Sequence, residues 1–237
     1  MGTSGVDKPF CGFWRRFRID ADANSVTTQL EDDYHCMAVR IEHRDGLAHT
    51  VHADLRRAPW TTCPGAAEQL RLTFEGAALT AFAGRGEKKR NCTHLHDLAV
   101  LGAAHAHDAA PSEIDALIED PVDGVRQARL QVNGNEVLSW REARMTIVEP
   151  EPLAGLGLFG LSDWIAAQPA QQAEWARLLR WANVIANGRQ IPLHQQSDAS
   201  KMPANCFSFQ PARAAVATRV GRIRDFSQGL AQPLDGG

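Results

Sequence analysis

After a loose leader over residues 1–12, the pattern of apolar and polar positions becomes strand-like from Arg15. "RRFRIDADANSVTTQLEDD" predicts two strands joined by the turn-prone "DANS". In "HCMAVRIEHRDGLAHTVHADLRRAP" Met37, Val39 and Ile41 alternate with polar residues, "RDG" supplies a turn, and Leu47, Thr50 and Val51 continue beyond it. Such alternation leaves one face of an antiparallel meander apolar and the other wet. The period then lengthens. "CPGAAEQLRLTFEG" predicts a helix, with Pro64 in its first turn, Leu70 and Phe74 one turn apart and Gly76 as its stop. A second helix over roughly 92–107 carries Leu95, Leu98 and Leu101. Past Asp123 the strand pattern returns in "VRQARLQVNGNEVLSWREARMTIVE", where Asn-Gly marks a hairpin. After a Pro/Gly connector, "AQQAEWARLLRWANVIANG" predicts an amphipathic helix striped by Trp175, Leu178, Leu179, Ala182 and Ile185 and stopped by Gly188. A last helical or extended segment, "ARAAVATRVGRIRDF", follows.

The class expected is α+β, an antiparallel meander followed by helices, with a mixed hairpin-plus-helix second half. The best division falls near residue 110. A core over 13–110 is then followed by an extension over 111–226 packed on it and a mobile tail over 227–237.

Composition narrows the function classes. Net charge is −3 over 237 residues, which gives no basic field for nucleic acid. No apolar run reaches the length of a membrane span, and "MGTSGVDKPFCGFWRRFRI" has no signal-peptide core. The Met-Gly start lacks Ser or Thr at position 6, which is Val6, so the myristoylation pattern is weak. A cytoplasmic protein with a small-molecule substrate is expected, and a homodimer is compatible with the chain. Five cysteines in a reducing compartment do not make a disulfide framework.

The chemistry-bearing residues lie where elements begin and end. His35-Cys36 opens a predicted strand, Cys63 sits between meander and helix, and Cys92 and His94 start the next helix. Two thiolates and two imidazoles would suit zinc or iron. A Cys at a helix N-terminus also has its thiolate favoured by the helix dipole. Asp97, one turn after His94, is placed to bond that imidazole or to carry a proton. The competing reading makes the cysteines small buried hydrophobes. His43, His49 and His52 read as solvated strand residues, and His105 and His107 as a helix end. His194 and Cys206, in irregular chain, are further candidates, and His96 is expected to face elsewhere. "GRGEKKRN" is a basic loop, either solvated or suited to an anionic group. Nucleophile-elbow, phosphate-loop and dinucleotide templates are missing.

An early Arg-Arg strand, "YHCMAVRIEH", "LRRAPW", "TTCPGAAEQL" and above all "NCTHLHDL" resemble the bacterial family known as domain of unknown function 2889, over about residues 13–107. Cys36 departs from the Asp expected after the His. The resemblance implies a setting in aromatic, steroid or fatty-acid catabolism. The order of meander, Cys, helix and Cys/His pair is also similar to iron–sulfur scaffold proteins of the NifU type. That likeness implies His35, Cys63, Cys92 and His94 as metal ligands. Three functions follow. One is a zinc or iron enzyme, a lyase or hydrolase, acting on a small organic acid or acyl thioester, with Asp97 and His94 moving protons. Another is a non-catalytic metal or iron–sulfur carrier. The third is a metal-free enzyme using His94 and Asp97 as acid and base.

Overall fold

The computed structural model describes residues 10–227, 229 and 231–235. It is an α+β fold built on one antiparallel sheet of eight strands, ordered β4-β3-β2-β1-β5-β6-β7-β8. The first four are β1 (Gly12–Ala21), β2 (Ser25–Glu31), β3 (Cys36–Arg44) and β4 (Leu47–Arg57). The second four are β5 (Ser112–Glu119), β6 (Val125–Val132), β7 (Asn135–Ala143) and β8 (Thr146–Glu149). The first hairpin turn is held by Asp22, whose Oδ1 accepts from the backbone N–H groups of Asn24 and Ser25. The expected Asp45-Gly46 and Asn133-Gly134 turns have both central residues at positive φ, as a tight hairpin with right-handed twist requires.

Strand β5 is absent from the sequence reading. Its apolar phase is Ile114, Ala116 and Ile118, with Ala a weak signal at the centre. It pairs along β1 from Gly12↔Glu119 to Ile19↔Ser112. The chain therefore crosses residue 110 and returns directly into the same sheet, and the apolar core is shared by both halves.

Five helices follow the numbering α1 (Ala66–Phe74), α2 (Thr93–Ala104), α3 (Ser162–Ala166), α4 (Ala170–Ala186) and α5 (Pro211–Ala214). Helix α1 packs on β4, α2 on β2 and β3, and α4 on β5, β6 and β7. On α4 the buried positions are Ala173, Ala176, Leu179, Ala182 and Ala186 with Leu178 and Asn183, while Trp175 and Ile185 are half-buried. Small residues bring the helix close to the sheet, and Asn183 is retained because Trp140 donates to its side-chain oxygen (2.9 Å). Helix α2 is docked by a polar clip. Thr28 Oγ1 donates to the Leu98 carbonyl (2.9 Å), and a Cβ on Gly102 would come within 3.3 Å of Thr28 Cγ2. That close approach sets where the first turn of α2, with His94, meets the sheet.

Two expectations about the periphery need correction. His43 is buried, edge-on to His107 at 5.3 Å, because it continues the apolar phase of Met37, Val39 and Ile41. The described residues of the tail are held against the sheet's other face: Gln232 accepts from Arg16 (3.0 Å) and the Leu234 N–H donates to Glu31 (2.7 Å). Leader residues 1–9 and tail residues 228, 230, 236 and 237 lie outside the described set, and Gly12 already belongs to β1.

Candidate active site

The site begins with a charged residue on an apolar face. Phe13, Arg15, Phe17 and Ile19 share one side of β1, and Val26, Thr28, Leu30 and Asp32 share the same side of β2 and its end. The β1–β2 register runs Arg16↔Glu31, Phe17↔Leu30, and its continuation sets Arg15 opposite Asp32. Both are sealed from solvent, at 2% and 0% exposure. A buried charge survives only when paired and bonded. Arg15 meets this condition with Nε at 2.8 Å and Nη2 at 2.5 Å from Asp32 Oδ2.

Asp32 also builds the turn after β2. Its Oδ1 accepts from the backbone N–H groups of Tyr34 (2.7 Å) and His35 (2.8 Å) and from His35 Nδ1 (3.0 Å). Burial alone would raise the Asp32 carboxyl. The Arg15 and His35 charges and the His35 hydrogen bond outweigh it and hold the group far below the usual carboxylate range.

His94 arrives from the first turn of α2. Its ring lies 4.0 Å from that of His35, tilted by 31°, and Arg15 Nη2 is 3.2 Å from its Nε2. Burial, then the charges of His35 and Arg15, push its pKa well below the usual imidazole value, so the ring is neutral. The network assigns the tautomers. A guanidinium only donates, so His94 Nε2 accepts and its proton is on Nδ1. His35 donates from Nδ1 to the ionised Asp32, so in the neutral form of that ring the lone pair is on Nε2. Among the described residues no hydrogen bond takes up His35 Nε2 or His94 Nδ1. With His35 in its neutral form, one ring offers a lone pair and the other an N–H.

The other expected residues lie elsewhere. Asp97 does not bond His94: its carboxylate accepts from Lys88 Nζ at 2.6 and 2.8 Å. That lysine, from the basic loop, also lies 4.8 Å from the Trp181 ring centre. Cys92 is the residue before α2, buried, and burial pushes its thiol up to about 12 despite the Leu95 and His94 N–H groups. Cys63 accepts from Ser208 Oγ (3.4 Å), and burial raises its thiol and that of Cys206. The helix-end activation expected for Cys92 is thus outweighed by desolvation. Cys36 points to the opposite face of β3, in a pocket with Glu31, Arg56 and Arg57. His194 is exposed. His96 turns inward against Phe74 at 5.0 Å.

The set His35, Cys63, Cys92 and His94 does not assemble as ligands. Among the described residues no three of His, Cys, Asp and Glu are grouped to hold a metal ion. One potential donor atom, His94 Nε2, already faces a guanidinium. These residues do not fit zinc or iron as arranged.

Arg15 and Asp32 are the members of the site that the sequence reading passed over. Their signal was available: opposite charges in the apolar phase of consecutive strands. On the reverse of the same turn Asp33 and Tyr34 line a cavity of about 600 Å³ with residues 188–193.

No family model matches the chain, and no curated protein matches it in sequence. Among the described residues no helix is long and apolar enough to cross a membrane.

Proposed function

We propose that the protein is a metal-independent acid–base enzyme acting on a small organic molecule, with His35 as the base and His94 as the neutral hydrogen-bond donor. The observation that supports this reading is the close histidine pair, with one ring tied to Asp32 and the other to Arg15. In the proposed step His35 Nε2 takes a proton from substrate, and Asp32 stabilises the imidazolium formed. His94 Nδ1–H donates to the substrate oxygen on which charge develops. Arg15 holds Asp32 and His94 in place. The raised thiols disfavour a cysteine nucleophile. Enolisable acyl thioesters and keto acids are the substrates to try first, in a cytoplasmic catabolic setting and a lyase-type reaction.

The test is deuterium incorporation. A panel of small thioesters and keto acids is incubated with protein in D2O and followed by NMR. At least one should exchange its α-protons faster than in buffer, and His35→Gln should lower that rate about 10²-fold or more. No exchange with any substrate, or equal exchange by the variant, would sink the reading. Elemental analysis of tag-free protein runs beside it. A full equivalent of zinc or iron, lost in Cys63→Ser and Cys92→Ser, would favour a metal enzyme or carrier instead.

A further inference from the structure

The cavity behind the Asp32–His35 turn has a charge imbalance that the fold does not resolve. Arg189, just past α4, is its only cation among the described lining residues. Its Nε and Nη2 donate to Asp120 (3.0 Å each), and its Nη1 donates to Asp33 (2.5 Å) and Asp225 (3.3 Å). Four of its five N–H groups are committed. Three carboxyl groups therefore share one guanidinium, with that of Asp33 pushed up to about 7 by burial. Arg219 is not in the wall: it donates to the Gln196 carbonyl (3.3 Å) and lies over the Trp60 ring. A second, independent feature points the same way. Asp33 is fully buried, yet its Oδ1 has no hydrogen-bond partner. A buried acceptor left unmade costs desolvation energy, and a ligand N–H would remove that cost.

The remaining wall mixes the amides Gln190 and Gln196 with an aliphatic stretch. Ile191, Leu193 and Ile223 line the cavity, and each is 39% exposed or more. Large aliphatic side chains left in solvent beside an acidic floor match a ligand that is cationic at one end and apolar at the other. The acidic residues are not grouped to hold a metal ion.

We propose that this cavity binds an organic ammonium group carrying an aliphatic chain, with Asp33, Asp120 and Asp225 around the nitrogen and Ile191, Leu193 and Ile223 along the chain. The site is separate from the His35/His94 pair, and the proposal does not depend on the catalytic reading. Tyr34, on the same wall, has its ring beside Gly188, where a Cβ would lie 3.2 Å from the phenol oxygen. It reports occupancy of the cavity.

The probe is n-hexylammonium chloride, titrated into the full chain at constant ionic strength and followed by amide NMR. Saturable shifts centred on Tyr34, Gly188 and Ile191 are expected, with hexanoate and 1-hexanol about tenfold weaker or more. Asp33→Asn should weaken binding about tenfold. If that buried variant does not fold, Asp225→Asn decides, since Asp225 is half-exposed; it should weaken binding threefold or more. Lack of saturation, equal binding of hexanoate, or an unchanged affinity in Asp225→Asn with Asp33→Asn unfolded or unchanged would overturn the proposal. The same shifts with calcium chloride and none with the amine would overturn it too.

Discussion

Arg15 and Arg16 are neighbours in sequence, and each pairs with an aspartate across a strand boundary, yet they end in different chemistry. Arg15 points under the helices, meets Asp32, and has two histidines for company. Arg16 points to the opposite face and meets Asp115 (2.7 and 3.0 Å), which also accepts from Trp14 Nε1 (2.6 Å). Its further partners are Glu113 and the tail residues Gln232 and Asp235. The outer network is a charge ladder that tacks the tail down. The inner one fixes two ring tautomers. Strand alternation alone decides which arginine gets which role.

The largest expected effect breaks the inner side. Asp32→Ala leaves Arg15 buried and unpaired and frees the turn, and should cost about 3–5 kcal/mol in denaturant unfolding. A loss under about 1 kcal/mol would contradict the view of Asp32 as its keystone. Asp115→Ala is the matched change outside. Arg16 keeps Glu113, Gln232 and Asp235, so the cost should be smaller, about 1–2 kcal/mol.

The two ends of α2 sharpen the contrast through pH. His94, at the start, is held neutral by burial and neighbouring positive charge. Its folded pKa lies below the unfolded value, so the stability linked to it is present above about pH 6.5 and falls as pH drops below that. His105, after the last turn, is bonded to Glu174 (3.0 Å) and Asp108 (2.6 Å), which raise it to about 9, with Glu174 the larger influence. Its contribution is fully present below about pH 6.5 and lost as pH rises through about 9. Thermal unfolding across pH should show His94→Gln flattening the acid side. His105→Gln should flatten the alkaline side, by about 1 kcal/mol after allowance for solvent screening. Identical pH profiles for the two variants would contradict the assignment.

The smallest effect belongs to the tail. Ending the chain after residue 230 removes the Gln232 and Leu234 contacts to Arg16 and Glu31. Arg57 and Arg224 still hold Glu31, at 2.7 and 3.1 Å. A cost of about 1 kcal/mol or less is expected by the same unfolding assay.

The meander, both Gly-containing hairpin turns and the three long helices were legible because each rests on a local period or a turn residue whose φ is chemically dictated. Strand β5 was not, since Ala116 at its centre gives little contrast against polar neighbours. His35 and His94 were legible as a pair because both sit at element boundaries. Their grouping with Cys63 and Cys92 was not supplied by any local rule, since it needed the depth at which α2 docks, set by Thr28 and Gly102. Asp97 was assigned to His94 from helical spacing, but helix spacing cannot show that Lys88 folds back onto it. Arg15 and Asp32 show that a charge in the apolar phase of a strand is as strong a signal as a cysteine.

Side-chain 15N NMR of the histidines at pH 7, with assignments confirmed in His35→Gln and His94→Gln, reads the central claim directly. His94 should be neutral and protonated on Nδ1, with its pKa well below the ordinary imidazole value, and His35 should carry a proton on the Nδ1 that faces Asp32. A His94 proton on Nε2, or a His94 ring that titrates near the ordinary imidazole value of about 6.5, would contradict it.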